Sequence, residues 1–265
     1  MKASSLRSAA LLALGGGLTA AGPALAGPPF VTDDPEPVEY HGFEINSAYQ
    51  ETDARQIRNG TGPLFDINYG VLPDVQAHVG VAMSFYQGPG QHLAYGYADT
   101  EVGVKYRFVE EDAHGWRPQI ALYPNLEIPT GNAALGLGAG YTRAFLPLWV
   151  QKSFGDWTAY GGGGYWLNRH DDNRNYWFSG VVVQRKITER LSLGPELFHL
   201  TANTVGGASS AAIVDTNGKA ATGFNFGGSY QISEGSALLF SAGRGLQDVA
   251  ATNTFSTYLA YQLTF

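Results

Sequence analysis

Charged and histidine side chains recur at alternate positions along several segments, and they are the groups in this chain that could do chemistry. In 98–108, Glu101, Lys105 and Arg107 alternate with apolar residues. A β-strand turns successive side chains to opposite faces, so these three residues share one face. Such charges can bias the passage of ions, or they can pair with one another in a structural network. The candidates for this polar face are Glu44, Asp66, His78, Glu101, Lys105, Arg107, Gln119, Glu127 and Glu196.

Catalysis is another use for such residues. His78 could face Glu101 from a neighbouring strand, and the sequence His170-Asp171-Asp172 could bind a divalent cation. The chain contains neither an HExxH pattern nor a nucleophile elbow. The glycine run 161–164 is not followed by Lys-Ser or Lys-Thr, so it indicates a bend or a close approach rather than a phosphate loop. We therefore expect no catalytic residues, no metal and no cofactor, and a hydrolase that uses His78 stays an alternative.

The composition limits the functions that are possible. The chain has 265 residues, a net charge of -7 and no cysteine. A negative net charge disfavours nucleic-acid binding, and the lack of cysteine excludes disulfides and Cys-ligated metals. Only 15% of the residues are charged, against about 25% in an ordinary soluble domain. Part of the exterior is therefore expected to contact something other than water.

The elements that must position the polar residues are strands, because apolar residues recur with a period of two from residue 40 onward. Short connections alternate with longer ones rich in Gly, Asn, Asp and Ser. The predicted strands are 41–51, 62–70, 74–86, 97–109, 115–128, 140–152, 156–168, 175–187, 189–200, 219–232, 235–245 and 254–265.

Twelve strands with alternating short and long connections predict an all-β fold, a transmembrane antiparallel up-and-down β-barrel over 41–265. Leu259, Tyr261, Leu263 and the terminal Phe265 resemble the signal that the barrel-assembly machinery recognises. A secreted soluble β-sandwich is the alternative. Aromatic residues near the predicted strand ends would form interfacial girdles: Tyr40, Tyr69, Phe108, Trp116, Trp149, Phe154 and Trp157 at the short turns, and Tyr49, Phe85, Tyr141, Trp166, Tyr176, Phe224 and Phe255 at the long loops.

The first 40 residues divide into two parts. Residues 1–26 have a basic start, an apolar stretch and Ala24-Leu25-Ala26, which predicts a secretory signal peptide. The proline-rich segment 27–40 can form neither a helix nor a central strand. It is either a periplasmic tail or a plug inside the barrel, with Asp33, Asp34 and Glu36 meeting Lys105 or Arg107.

Five segments together resemble a known family of bacterial outer-membrane proteins, the Putative MetA-pathway of phenol degradation family. They are 28–37 (PPFVTDDPEP), 99–107 (DTEVGVKYR), 127–131 (EIPTG), 146–155 (LPLWVQKSFG) and 161–166 (GGGGYW). The order and spacing of the segments, rather than any single motif, produce the resemblance. It implies an outer-membrane barrel associated with the uptake of hydrophobic or aromatic compounds, and it supplies no catalytic residues.

The expected function is passive passage of small hydrophobic or aromatic solutes across the Gram-negative outer membrane, whose lipid would surround the barrel. The solute would diffuse through the lumen or through a lateral gap near the glycine-rich strand. A non-conducting barrel that acts through its outer loops, especially 201–218, is the first alternative. An outer-membrane hydrolase is the second.

Overall fold

The computed structural model describes residues 28–54, 57–169, 173–203 and 219–265. The predicted signal peptide 1–26, the 170–172 cluster and most of the 201–218 loop lie outside these residues. The strands are β1 (Phe43–Ala54), β2 (Ile57–Leu72), β3 (Val75–Gln87), β4 (Ala94–Tyr97), β5 (Thr100–Val109), β6 (Gln119–Leu122), β7 (Asn125–Ile128), β8 (Arg143–Phe154), β9 (Trp157–Leu167), β10 (Tyr176–Lys186), β11 (Leu191–Leu200), β12 (Ala221–Ser233), β13 (Ser236–Gly245) and β14 (Phe255–Thr264).

These strands form a closed antiparallel barrel with twelve strand positions, called staves below, which confirms the predicted fold. Two staves are interrupted. Strands β4 and β5 both pair with β3, and β6 and β7 both lie between β5 and β8. Pro124 separates β6 from β7, where it cannot donate a ladder hydrogen bond. Strand β1 pairs with β14 from Glu44↔Thr264 to Asp53↔Phe255, and this pairing closes the barrel.

The barrel has an apolar exterior and a polar interior, which is the reverse of a soluble protein. In β5, Val104 and Tyr106 are 46% and 49% exposed, whereas Lys105 between them is 4% exposed. Strand β11 shows the same alternation, with Leu197 at 47% and Glu196 at 0%. Exposed apolar side chains of this kind occur where acyl chains replace water around the barrel.

The first hairpin differs from its prediction. The sequence predicts a long loop over 52–61, but β1 and β2 pair as far as Ala54↔Ile57. This end of the hairpin carries polar residues such as Thr52 and Asn59. We attribute the error to the missing apolar alternation, because a strand that projects into water needs no apolar outer face.

The helical content of the described residues is small. A 3₁₀ turn spans Ala133–Leu135 and one short α-helix, α1, spans Val249–Thr252. In the part of the chain that the structure describes, no helix has the length and apolar character needed to cross a membrane.

Candidate functional site: the lumen

The proline-rich N-terminal segment, residues 28–38, lies inside the barrel. Its hydrogen bonds reach strands on different sides of the lumen. The hydroxyl of Ser241 on β13 donates to the carbonyl of Pro29 (2.6 Å), and the Thr32 N–H donates to Glu196 on β11 (2.6 Å). Further along, the Val38 N–H donates to Gln76 on β3 (2.9 Å). Only a chain that runs through the interior can reach all three strands.

Two cations on β5 hold the acidic part of this segment. Lys105 Nζ lies 3.2 Å from Asp33 and 3.8 Å from Asp34, and it also donates to the Glu36 carbonyl (3.3 Å). Arg107 Nη1 donates to the Glu36 carboxylate (2.8 Å), whose second oxygen accepts from Gln119 (2.7 Å). Lys105 is almost fully buried, so most of its charge is balanced by these neighbours rather than by water.

Asp34 belongs to the segment rather than to a strand, and it is fully buried. Burial raises the pKa of its carboxyl well above the usual range, while Lys105 and the Glu36 N–H partly oppose that rise. One of its oxygens, Oδ2, has no hydrogen-bond partner among the described residues. Burial at this position therefore disfavours the charged form of Asp34, and Lys105 partly compensates for that cost.

All the residues that the sequence predicts for the polar face are placed on the inner side of the barrel. Glu44 and Asp66 share hydrogen bonds from the amide of Asn46 (3.1 and 3.4 Å). His78 Nδ1 lies 2.9 Å from Asp66. Glu101 lies beside His78, and Glu127 on β7 is its cross-strand partner. The remaining members of the set are Lys105, Arg107, Gln119 and Glu196, whose contacts are given above.

Arg143 is an inward cation that the sequence analysis missed. Its side chain is 2% exposed and pairs with Glu127 through Nε (2.9 Å) and Nη2. The guanidinium also lies 5.1 Å from the ring centre of Trp166. Arg143 occupies the first position of β8, and its alternation with the apolar residues Ala144 and Leu146 could have identified it.

The wall of the lumen next to these polar residues, on β8, β9 and β10, is aromatic. Phe145 stacks on Trp166 with ring centres 4.8 Å apart, and it contacts Trp149 (6.3 Å) and Phe178 (6.1 Å) edge-on. The sequence predicts that Trp149, Trp166 and Tyr176 lie in the membrane girdles, and this prediction is wrong because all three belong to the aromatic wall inside the barrel. Trp149 is 1% exposed and Tyr176 is 2% exposed, because both occupy inward positions of their strands. Phe108, Trp116, Phe154 and Trp157 are exposed, as a girdle requires.

A cavity of about 410 Å³ is bordered by both the polar and the aromatic residues. Its lining includes the polar residues Asp66, His78 and Glu101 and the aromatic residues Phe145 and Trp149. It extends to residues near the long connections, such as 136–138 and 253, while 28–31 and 33 of the N-terminal segment border it from within. The segment therefore forms one boundary of a space that could hold a small molecule.

No lateral gap is present at the glycine run. Strand β9 pairs with β8 from Ala144↔Leu167 to Phe154↔Trp157, and with β10 from Tyr176↔Trp166 to Arg185↔Trp157. The hypothesis of a lateral exit at 161–164 is therefore not supported by this conformation. Gly162 has a φ of 152°, and a Cβ there would lie 2.1 Å from the Leu148 carbonyl oxygen, so close backbone approach explains the run.

In the described ranges, no group of three or more His, Cys, Asp or Glu residues is arranged so that it could hold a metal ion. The polar groups described within 3.5 Å of the His78 ring nitrogens belong to Asp66, Asn68 and Glu101, and none of them is a hydroxyl.

Three solved structures share the fold. The COG4313 outer membrane channel from Pseudomonas putida F1 is 15% identical, with a TM-score of 0.68, and the alignment covers 87% of this chain and 97% of that chain. The NanC porin is 10% identical with a TM-score of 0.54 (84% and 98% covered). The translocator domain of the autotransporter NalP from Neisseria meningitidis is 11% identical with a TM-score of 0.50 (84% and 88% covered). At these identities the likeness concerns the fold.

Comparison at the level of sequence identifies the family to which this barrel belongs. No curated protein gives a significant match to the chain. A family model, however, matches residues 48–265, which include every strand from β2 to β14 and most of β1. The chain belongs to the family described as Putative MetA-pathway of phenol degradation.

Proposed function

We propose that this protein is a passive channel of the Gram-negative outer membrane for small hydrophobic or aromatic solutes. The observation that supports this function is the cavity inside the barrel, which is lined by aromatic side chains and by charged side chains. Aromatic rings give a planar solute apolar contact and favourable stacking. The polar wall keeps water in the path, so the polar end of the solute remains hydrated during passage.

The N-terminal segment regulates the width of this path. Because it is held by Lys105, Arg107 and Glu196, it narrows the lumen when it is docked. A solute that moves from the cavity toward the opposite end of the barrel must pass beside the segment or displace it. The segment thus acts as a filter in a pore that would otherwise be wide.

The similar structures support transport over catalysis. Two of them are named as an outer membrane channel and a porin. The hydrolase alternative would need a nucleophile beside His78, and its described partners, Asp66, Glu101 and Asn68, do not include a hydroxyl. The family description mentions phenol degradation, which agrees with an aromatic solute.

Planar-bilayer recording of the purified protein tests this proposal. We expect discrete conductance steps in salt alone, and a reduced or flickering current when phenol occupies the lumen. A folded barrel that inserts and never conducts would instead support the non-conducting alternative. Hydrolysis of a lipid or ester substrate that is lost in His78→Ala would favour the hydrolase.

A further inference from the structure

One cross-strand row of the barrel carries three carboxylates on its inner side. Asp66 pairs with Gly80, Gly80 with Glu101, Glu101 with Glu127, and Glu127 with Arg143. Acidic residues directly opposite each other repel unless a cation lies between them. Arg143 neutralises Glu127, at the end of the row. Glu101 lies between Gly80 and the acidic Glu127 in this row and lacks a comparable partner.

His78 supplies at most one further positive charge. Its Nδ1 lies 2.9 Å from Asp66, and its Nε2 lies 3.5 Å from Glu101, which is longer than a hydrogen bond. The Glu101 side chain is 39% exposed, and the residue lines the cavity. Even with His78 protonated, the three carboxylates of the row outnumber the two cations beside them, Arg143 in the row and His78 in the neighbouring row, so this side of the cavity keeps a negative charge.

The neighbouring row offers a second, independent acceptor. His78 pairs with Gly103 and Gly103 pairs with Asn125. Asn125 is 7% exposed, and its Nδ2 donates to the Tyr123 carbonyl (3.1 Å), which turns Oδ1 the other way. Oδ1 lies over Gly103, 1.8 Å from where a Cβ would be, and it has no partner among the described residues. A buried acceptor without a donor costs free energy that a ligand N–H would recover.

The aromatic wall begins next to this acceptor. Phe145 is the cross-strand partner of Asn125 and lines the same cavity as Glu101. Its ring contacts Trp149 and Trp166. The cavity therefore combines anionic and neutral oxygen acceptors with aromatic faces. This is a combination that recognises an organic cation, because aromatic faces attract cations and carboxylates bind ammonium N–H groups.

We propose that the cavity binds a small protonated amine that carries an aromatic ring, with the ammonium group between Glu101 and Asn125 and the ring against Phe145 and Trp149. The inference rests on the proposed function, of which it specifies the solute class. A neutral aromatic alcohol would keep the ring contacts and lose the charge pairing. An aromatic carboxylate would be repelled by the acidic row.

Binding to the purified full chain in detergent micelles tests the site without requiring conduction. Benzylamine, benzyl alcohol and benzoate are titrated while tryptophan fluorescence is followed. We expect benzylamine to bind at least about tenfold more tightly than benzyl alcohol, as one charge-assisted hydrogen bond provides. Benzoate should bind more weakly than either. Equal affinities for the three compounds, or no binding of benzylamine, would overturn the proposal.

Variants assign the effect to the named residues. Glu101→Gln should weaken benzylamine binding about tenfold and leave benzyl alcohol unchanged. Asn125→Asp should strengthen benzylamine binding, a gain that misfolding could not produce. Glu189→Gln, in the exposed turn between β10 and β11, removes the same charge far from the cavity and serves as the control. If Glu101→Gln binds benzylamine like the control, the site is wrong. A barrel that binds benzylamine but does not conduct would contradict the channel function and leave this site standing.

Discussion

Replacing Glu36 by alanine should open the lumen, because Glu36 ties the N-terminal segment to the wall. Its carboxylate accepts one charge-assisted hydrogen bond from Arg107 (2.8 Å) and one neutral hydrogen bond from Gln119 (2.7 Å). Such bonds contribute together about 2–4 kcal/mol when buried. The Glu36 side chain is 37% exposed, so solvent screening reduces the loss to about 2 kcal/mol. This corresponds to a change of about 30-fold in the ratio of docked to undocked segment.

The barrel dimensions indicate what undocking would do to the current. Twelve staves spaced about 4.8 Å apart and tilted about 40° enclose a backbone cylinder of about 12 Å radius. A layer of inward side chains about 5 Å thick leaves an opening of about 14 Å. An extended chain with its side chains is about 10 Å wide, so the docked segment fills most of the opening. Undocking should therefore raise the single-channel conductance several-fold.

Single-channel recording in planar bilayers measures this effect. Glu36→Ala should show frequent high-conductance openings that are rare in the natural chain. Glu39→Ala is the matched control, since it removes an identical carboxylate at the exposed end of the same segment. If Glu36→Ala and Glu39→Ala give the same conductance and the same open probability, the segment does not limit the current and the reasoning fails.

Three further substitutions probe other parts of the barrel. Asp34→Asn should leave the conductance near that of the natural chain, because burial raises the pKa of Asp34 and disfavours its charged form, so that little favourable charge pairing is lost; a large increase in conductance would contradict this. Gly162→Ala should prevent assembly into a heat-modifiable barrel, since its Cβ would meet the Leu148 carbonyl. Gly155→Ala has open space for its Cβ and should lose only about 1 kcal/mol of stability, the cost of a side chain at its φ of 60°. Trp149→Ala should destabilise the folded barrel by about 3–5 kcal/mol, seen as a lower unfolding temperature on heated gels, and an unchanged temperature would show that the aromatic wall is loosely packed.

The period-two pattern was sufficient to predict the barrel and the inward face. Glu101, Lys105 and Arg107 point inward because each strand has only two faces and lipid requires the apolar one. The pattern also fixed the number of staves, although it could not show that Pro124 breaks one of them. It failed for the first hairpin, where both faces of the strands are polar and no alternation remains.

The aromatic wall could not be predicted in the same way. Trp149 and Tyr176 were assigned to the membrane interface from their distance to the strand ends. Their inward direction follows from strand register, which places Trp149 on the same face as Arg143. The docking of the N-terminal segment depends on contacts between residues far apart in sequence, such as Thr32 with Glu196. Sequence patterns carry no direct signal for contacts of that kind.

The central claim is that the apolar face of the barrel contacts lipid while the polar face lines the lumen. Because the chain has no cysteine, single spin labels can be attached without background at Leu146→Cys and Leu197→Cys outside and at Gln184→Cys and Asn225→Cys inside. Electron paramagnetic resonance in liposomes then compares collisions with oxygen, which partitions into lipid, and with a water-soluble nickel chelate. The structure predicts high oxygen accessibility for labels at 146 and 197 and much lower oxygen accessibility at 184 and 225. Nickel-accessible labels at 146 and 197 would contradict the transmembrane barrel and the channel proposed for it.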